Sequence, residues 1–202
     1  MGKGLLRAIS RRTLVAVMAF GGYGAIPGAA IAQSAEVNPL AAPLIVAARV
    51  GDTNRLNALI AGGADPNSPN VGGRTALMAA SAFGNVKVVK LLLAEGASVN
   101  AQDANGNTAL MEASAFGHYD AARALALRGA DPDLQSTAGR TALMEAAAGG
   151  HDRVTQLLIA RRADVNLADS RGNNALGEAV GSGAETVVKM LQDAGAKEPK
   201  KK

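Results

Sequence analysis

The stretch Asp103-Ala104-Asn105-Gly106-Asn107-Thr108-Ala109-Leu110-Met111 decides the fold, because the chain returns to it at a fixed interval. It reappears as Asn70 to Met78, Ser136 to Met144 and Asp169 to Gly177, each copy 33 residues from the next. Working outward, five columns keep this spacing through five copies without a gap. One is Leu44, Leu77, Leu110, Leu143 and Leu176, and a second is Ala47, Ala80, Ala113, Ala146 and Ala179. The others begin at Gly51, Leu59 and Ala64 and end at Gly183, Leu191 and Ala196. Such a period identifies an array of like units before any local structure is considered.

One copy reads physically as a turn and two helices. Asp103 to Gly106 has turn chemistry, since Asp and Asn bond back to nearby backbone and Gly permits a positive φ. Thr108 offers an N-cap oxygen to a first helix, Ala109 to Phe116, which Gly117 breaks. A second helix is predicted from His118 to Arg128, with Gly129 closing it in the left-handed region. In the preceding copy Val86, Val89, Leu92 and Leu93 recur at helical spacing and form an apolar stripe. Helices of two or three turns are too short to persist alone in water, so each unit must lean on the next. The small Ala47 to Ala179 column lets neighbouring helices approach closely.

This pattern resembles the ankyrin repeat, with its Gly turn, Thr-Pro-Leu-His-x-Ala, Gly break and Leu-Leu-x-x-Gly-Ala-x-x-Asn. The resemblance covers residues 37–196, divided at about 37–69, 70–102, 103–135, 136–168 and 169–196. It implies an all-α ankyrin-repeat solenoid of five stacked helix-turn-helix units. Asn67, Asn100 and Asn166 match the final Asn of the pattern, and Asp133 replaces it once. Met78, Met111 and Met144 stand where the family has His, so an apolar contact is expected in place of the usual His bond to Thr. Arg162 occupies the helix-closing Gly column; a left-handed non-Gly residue there costs about 1 kcal/mol. The first and last copies read as caps, and residues 197–202 as a Lys-rich flexible tail.

Composition narrows function. The chain has 202 residues and no Cys, which excludes disulfides, thiolate metal sites and a Cys nucleophile. Its two His cannot build a multi-His zinc centre. No nucleophile elbow, phosphate loop or His-Glu-x-x-His occurs. Asp103 to Asn107 starts like a calcium loop but lacks the later acidic ligand. No enzyme, metal or cofactor is expected. The net charge of +4 resides at the ends: Lys3, Arg7, Arg11 and Arg12 have no acid beside them, and three Lys end the chain. The body from Gln33 to Ala196 carries a formal −3, which argues against nucleic acid.

Residues 1–32 read as a secretory signal peptide: a basic start, the uncharged run Thr13 to Ala32, and Ala30-Ile31-Ala32 before a cut at Gln33. Ser10 to Val15 is also similar to the twin-arginine motif, which leaves two export routes open. The expected location is periplasmic or secreted, with no stable membrane association after cleavage; an uncleaved, membrane-anchored scaffold is the alternative. The resemblance extends to small exported ankyrin proteins of Gram-negative bacteria, some linked to oxidative-stress defence including support of catalase.

The resemblance further implies that another protein is the partner, that the chain is a monomer, and that the partner meets a concave groove. Candidate residues there are Phe83 and Phe116, two aromatics at the ends of first helices, with the turn-tip residues Arg74, Asn107, Arg140 and Asn173. Glu112 and Glu145, continued by Glu178, form a carboxylate column able to attract a basic segment or to pair with Arg74 and Arg140. His118 and His151 are repeat equivalents expected to open second helices.

Overall fold

The structure, a computed structural model, describes residues 40–199. The expected leader, residues 1–32, lies outside them. Among the described residues there are ten helices and no strand. The first helices of the five units are α1 (Ala41–Val50), α3 (Ala76–Ala82), α5 (Ala109–Ala115), α7 (Ala142–Ala148) and α9 (Ala175–Ser182). The second helices are α2 (Thr53–Ala61), α4 (Val86–Ala94), α6 (Tyr119–Leu127), α8 (Asp152–Ala160) and α10 (Glu185–Asp193). The units stack in chain order: each first helix packs on the next first helix, and each second helix on the next second helix.

Capping explains where the first helices begin. The Thr75, Thr108 and Thr141 hydroxyls accept the backbone N–H of Met78, Met111 and Met144 at 3.4, 3.2 and 3.3 Å. The expected apolar role of the Met column holds in part: all three are buried. At Met78, however, the thioether sulfur also accepts the Thr75 N–H at 3.5 Å. A Met in the family's His position thus still closes a capping box, through a weak acceptor. In the first unit Pro43 falls in the opening turn of α1, where its missing N–H interrupts no helical bond.

The core follows the columns. All five Ala of the Ala47 column and the five Leu of the Leu44 column are buried. With Ala at the contact, the first helices pack more densely than the second helices. The first helices and the turn tips thus form one continuous edge of the stack.

Polar staples join the units. Asn67 receives the Ser98 N–H at 2.7 Å and donates to the Gly96 carbonyl at 3.1 Å; Asn100 does the same with Asp131 and Gly129. Asp133 keeps only the acceptor half, taking the Asp164 N–H at 2.8 Å, because a carboxylate has no donor. His118 and His151 are N-cap residues, and each ring Nε2 donates to a carbonyl of the preceding unit, Ala82 at 3.1 Å and Ala115 at 3.0 Å. They are structural links between units. Successive turn tips also bond backbone to backbone, as in Thr137 N–H to Asn105 O at 2.8 Å. Arg162 has φ 63°, and the four Gly of its column are likewise positive. The helix therefore ends in the left-handed region although the residue there is not Gly.

The C-terminal end differs from a free tail over its first three residues. The Lys197 N–H donates to Asn166 Oδ1 at 2.9 Å, and the Lys197 carbonyl accepts Asn174 Nδ2 at 2.8 Å. A side chain on Gly177 would meet Asn173 Oδ1 first and Pro199 Cγ, at 3.0 Å, next. Both oddities of the last copy follow. Asn174 replaces Thr because it must cap α9, accepting the Gly177 N–H at 3.0 Å, and also hold the tail. Gly177 in place of Met leaves room for Asn173, which turns to Glu178, and for Pro199. Lys200 to Lys202 lie outside the described residues.

Candidate functional site

The first helices end abruptly because a Gly in the left-handed region follows within two residues. The residue just before that Gly is lifted out of the stack. In units one to three it is Val50, Phe83 and Phe116, with relative exposures of 65, 57 and 58%. In units four and five it is Gly149 and Ser182. Val46, also exposed, adds to the same edge in unit one. The first-helix edge therefore changes character along the stack, from apolar to polar. Phe116 stands beside the His118 ring, centroids 6.2 Å apart and planes 28° apart, which fixes one side of the phenyl.

The carboxylate column lies one turn earlier on the first helices. Arg74 Nη1 meets Glu112 Oε1 of the next unit at 3.0 Å. Arg140 reaches two acids: Glu145 of its own unit through Nε at 2.5 Å, and Glu178 of the next unit through Nη1 at 3.0 Å. The pairing expected for this column is present, so it is not an open ladder of free charge. Burial pushes the Glu112 carboxyl above its ordinary value; Arg74 pulls it back only in part, and the neighbouring Asp103 and Glu145 charges push it further up. The bond to Glu145 holds the Arg140 guanidinium above its usual range.

The two Asn of the turn-tip column behave differently from each other. The backbone N–H of all four residues of the column bonds the first side chain of its own turn, but only Asn107 also sends its side chain there, donating to Asp103 Oδ2 at 3.4 Å. Asn173 donates to Glu178 at 3.1 Å. Thus Arg74, Arg140 and Asn173 each engage the Glu column, and Asn107 does not.

Four of the predicted residues come together. Asn107, Glu112, Phe116 and Glu145, with Met111 and Ala115, line an open depression of about 230 Å³ between units three and four. Phe83, Arg74 and Arg140 flank it along the same edge and do not line it. The sequence could name each lining residue from the repeat register but not the depression itself. A larger hollow, about 440 Å³, lies between units four and five at Gly149–Gly150 and Gly183–Ala184. It exists because Ala184 stands where Asn85, His118 and His151 each send a side chain back to the preceding unit. Its lining is mostly small residues and backbone, with Asp152 and Glu185 at the margin.

Among the described residues no group of three or more His, Asp or Glu is placed to hold a metal ion. No described helix is long and apolar enough to cross a membrane. The edge offers exposed aromatic area, paired charge and a shallow cleft, which is equipment for contact with another chain.

Compared with known families, the chain matches the description ankyrin repeats (3 copies) over residues 44–136 and 125–202. The protein belongs to the ankyrin repeat family, whose repeats generally mediate protein–protein interactions. No curated protein matches the chain.

Proposed function

We propose that this protein is an exported, non-catalytic binding module that holds a segment of another protein along its first-helix edge. The observation that carries the reading is the pair Phe83 and Phe116, more than half exposed at equivalent positions of adjacent units. Exposed aromatics cost solvation, and aromatic anchors dominate the energy of protein interfaces. Paired charges around them supply a polar rim. The leader-like residues 1–32 support export, with a periplasmic or secreted mature chain beginning near Gln33. The formal −3 of the body supports a protein partner over nucleic acid. The module works as a monomer and uses no cofactor.

The test is capture of partners by the full chain and by a Phe83→Ala/Phe116→Ala variant of unchanged circular dichroism. The reading expects the variant to lose the partners that the parent retains. Equal capture by both removes the aromatic edge from function. N-terminal sequencing of the chain recovered from its host addresses export: a start near Gln33 supports release, and an intact leader favours a membrane-anchored scaffold.

A further inference from the structure

Three of the four junctions carry an acid in this register; a cation from the preceding unit meets it at two of them and not at the third, while the junction of units one and two has Ala41 and Ala79 there. At the junction of units two and three, Arg74 bonds Glu112 across the gap; at that of units four and five, Arg140 bonds Glu178. At the junction of units three and four the equivalent residue is Asn107, whose side chain bonds Asp103 at 3.4 Å instead. Glu145, the acid that would receive a cross-unit cation there, has among the described residues only the Arg140 of its own unit. The acids along this strip (Asp103, Glu112, Glu145 and Glu178) outnumber the cations Arg74 and Arg140 by two. Where the missing guanidinium would lie there is instead the open depression of about 230 Å³, with Glu112 and Glu145 on its wall and Phe116 and Met111 beside them.

We infer that this depression receives a lysine or arginine side chain from the bound segment, which completes the ladder of cations that Asn107 interrupts. The statement rests on the reading of the first-helix edge as the binding surface and names what that surface selects. The chemistry fits on three counts. The aliphatic stem of Lys or Arg lies against Phe116 and Met111. Its charged head lies near an aromatic ring, where cation–π attraction adds to affinity. Two carboxylates supply the acceptors, each already holding one Arg and each with a further oxygen to offer. The raised Glu112 carboxyl agrees, since an added cation relieves its repulsion with Glu145. The favoured occupant is therefore a basic segment carrying an apolar residue that reaches Phe83, one unit away, or about 8–10 Å.

Three fluorescein-labelled hexapeptides test this against the full chain by anisotropy: Leu-Phe-Gly-Lys-Arg-Lys, and versions with Ser-Gln-Ser or Glu-Asp-Glu as the last three residues. The basic peptide is expected to bind about ten-fold more tightly than the neutral one and to weaken as salt is raised. Asn107→Arg fills the site from within, because Arg74 and Arg140 show that the same turn accepts Arg. It should weaken the basic peptide about five-fold or more and leave the neutral one unchanged. Glu112→Gln/Glu145→Gln should do the same. Equal binding of the three peptides, preference for the acidic one, or indifference to Asn107→Arg each overturns the inference while leaving an apolar binding edge intact. Binding of none of them also overturns it, and the capture experiment with Phe83 and Phe116 then judges the edge separately.

Discussion

The junction between units two and three and the junction between units three and four are built from the same template and held unequally. The former has the Arg74–Glu112 ion pair, an Asn100 that both donates and accepts, and the Val88, Val89, Leu92 and Leu93 stripe of α4. The latter has no ion pair across it among the described residues. Asp133 there has lost the donor, Arg162 is held left-handed, and α6 offers Ala121, Ala122, Leu125 and Ala126 at the positions of that stripe. Several columns of the repeat depart together at this seam, and Arg153 stacking over Tyr119 at 4.1 Å takes the place of the missing ion pair across it. The open depression lies on the same seam.

The largest effect should come from Leu125, fully buried and the one large side chain at those α6 positions. Leu125→Ala is expected to cost about 2–5 kcal/mol and to split urea unfolding, followed by circular dichroism, into two steps. Leu158→Ala should cost a similar amount and keep one step, since Val154 and Ile159 remain beside it. Two single steps would show that the seam is no weaker than its neighbours.

Repair of the seam comes next. Arg162→Gly with Asp133→Asn removes a left-handed penalty and restores the missing donor; together they should add about 1–2.5 kcal/mol, or several degrees in Tm. No rise would mean that the two departures cost nothing where they stand. A smaller gain, about 1 kcal/mol, is expected from Ser114→Ala, because the buried Ser114 hydroxyl has no partner among the described residues and Ala147 fills the same position in the next unit. A loss of stability would reveal a hydroxyl partner.

The smallest effect concerns pH. Burial raises the Glu112 carboxyl, so the folded state favours its protonated form, and stability falls as pH rises through the raised value. The advantage of the parent over Glu112→Gln should therefore shrink as pH rises from the ordinary carboxyl value of 4.5 toward neutrality, read as Tm across that range. An advantage that grows with pH would show that the Arg74 ion pair outweighs burial.

Most of the fold was legible in the sequence because a 33-residue period constrains every unit at once. Helix ends read from Thr108, Gly117 and Gly129 lie within one residue of α5 and α6. The aromatic edge was legible too, since Phe83 and Phe116 share one column. Side-chain choices that depend on three-dimensional neighbours were not. The sulfur of Met78 as an acceptor, Asn107 folding back while Arg74 and Arg140 reach forward, and Asn173 and Pro199 occupying the space over Gly177 each follow from packing that no single repeat specifies.

A partner is expected along the first-helix edge at the seam of units three and four. The most direct test is a photoreactive amino acid placed at position 116, compared with one at the exposed second-helix position 123, in the full chain in its host. A discrete crosslinked partner is expected from position 116 and none from position 123. Crosslinking from 123 alone would contradict it, because the guest would then sit on the opposite row of helices.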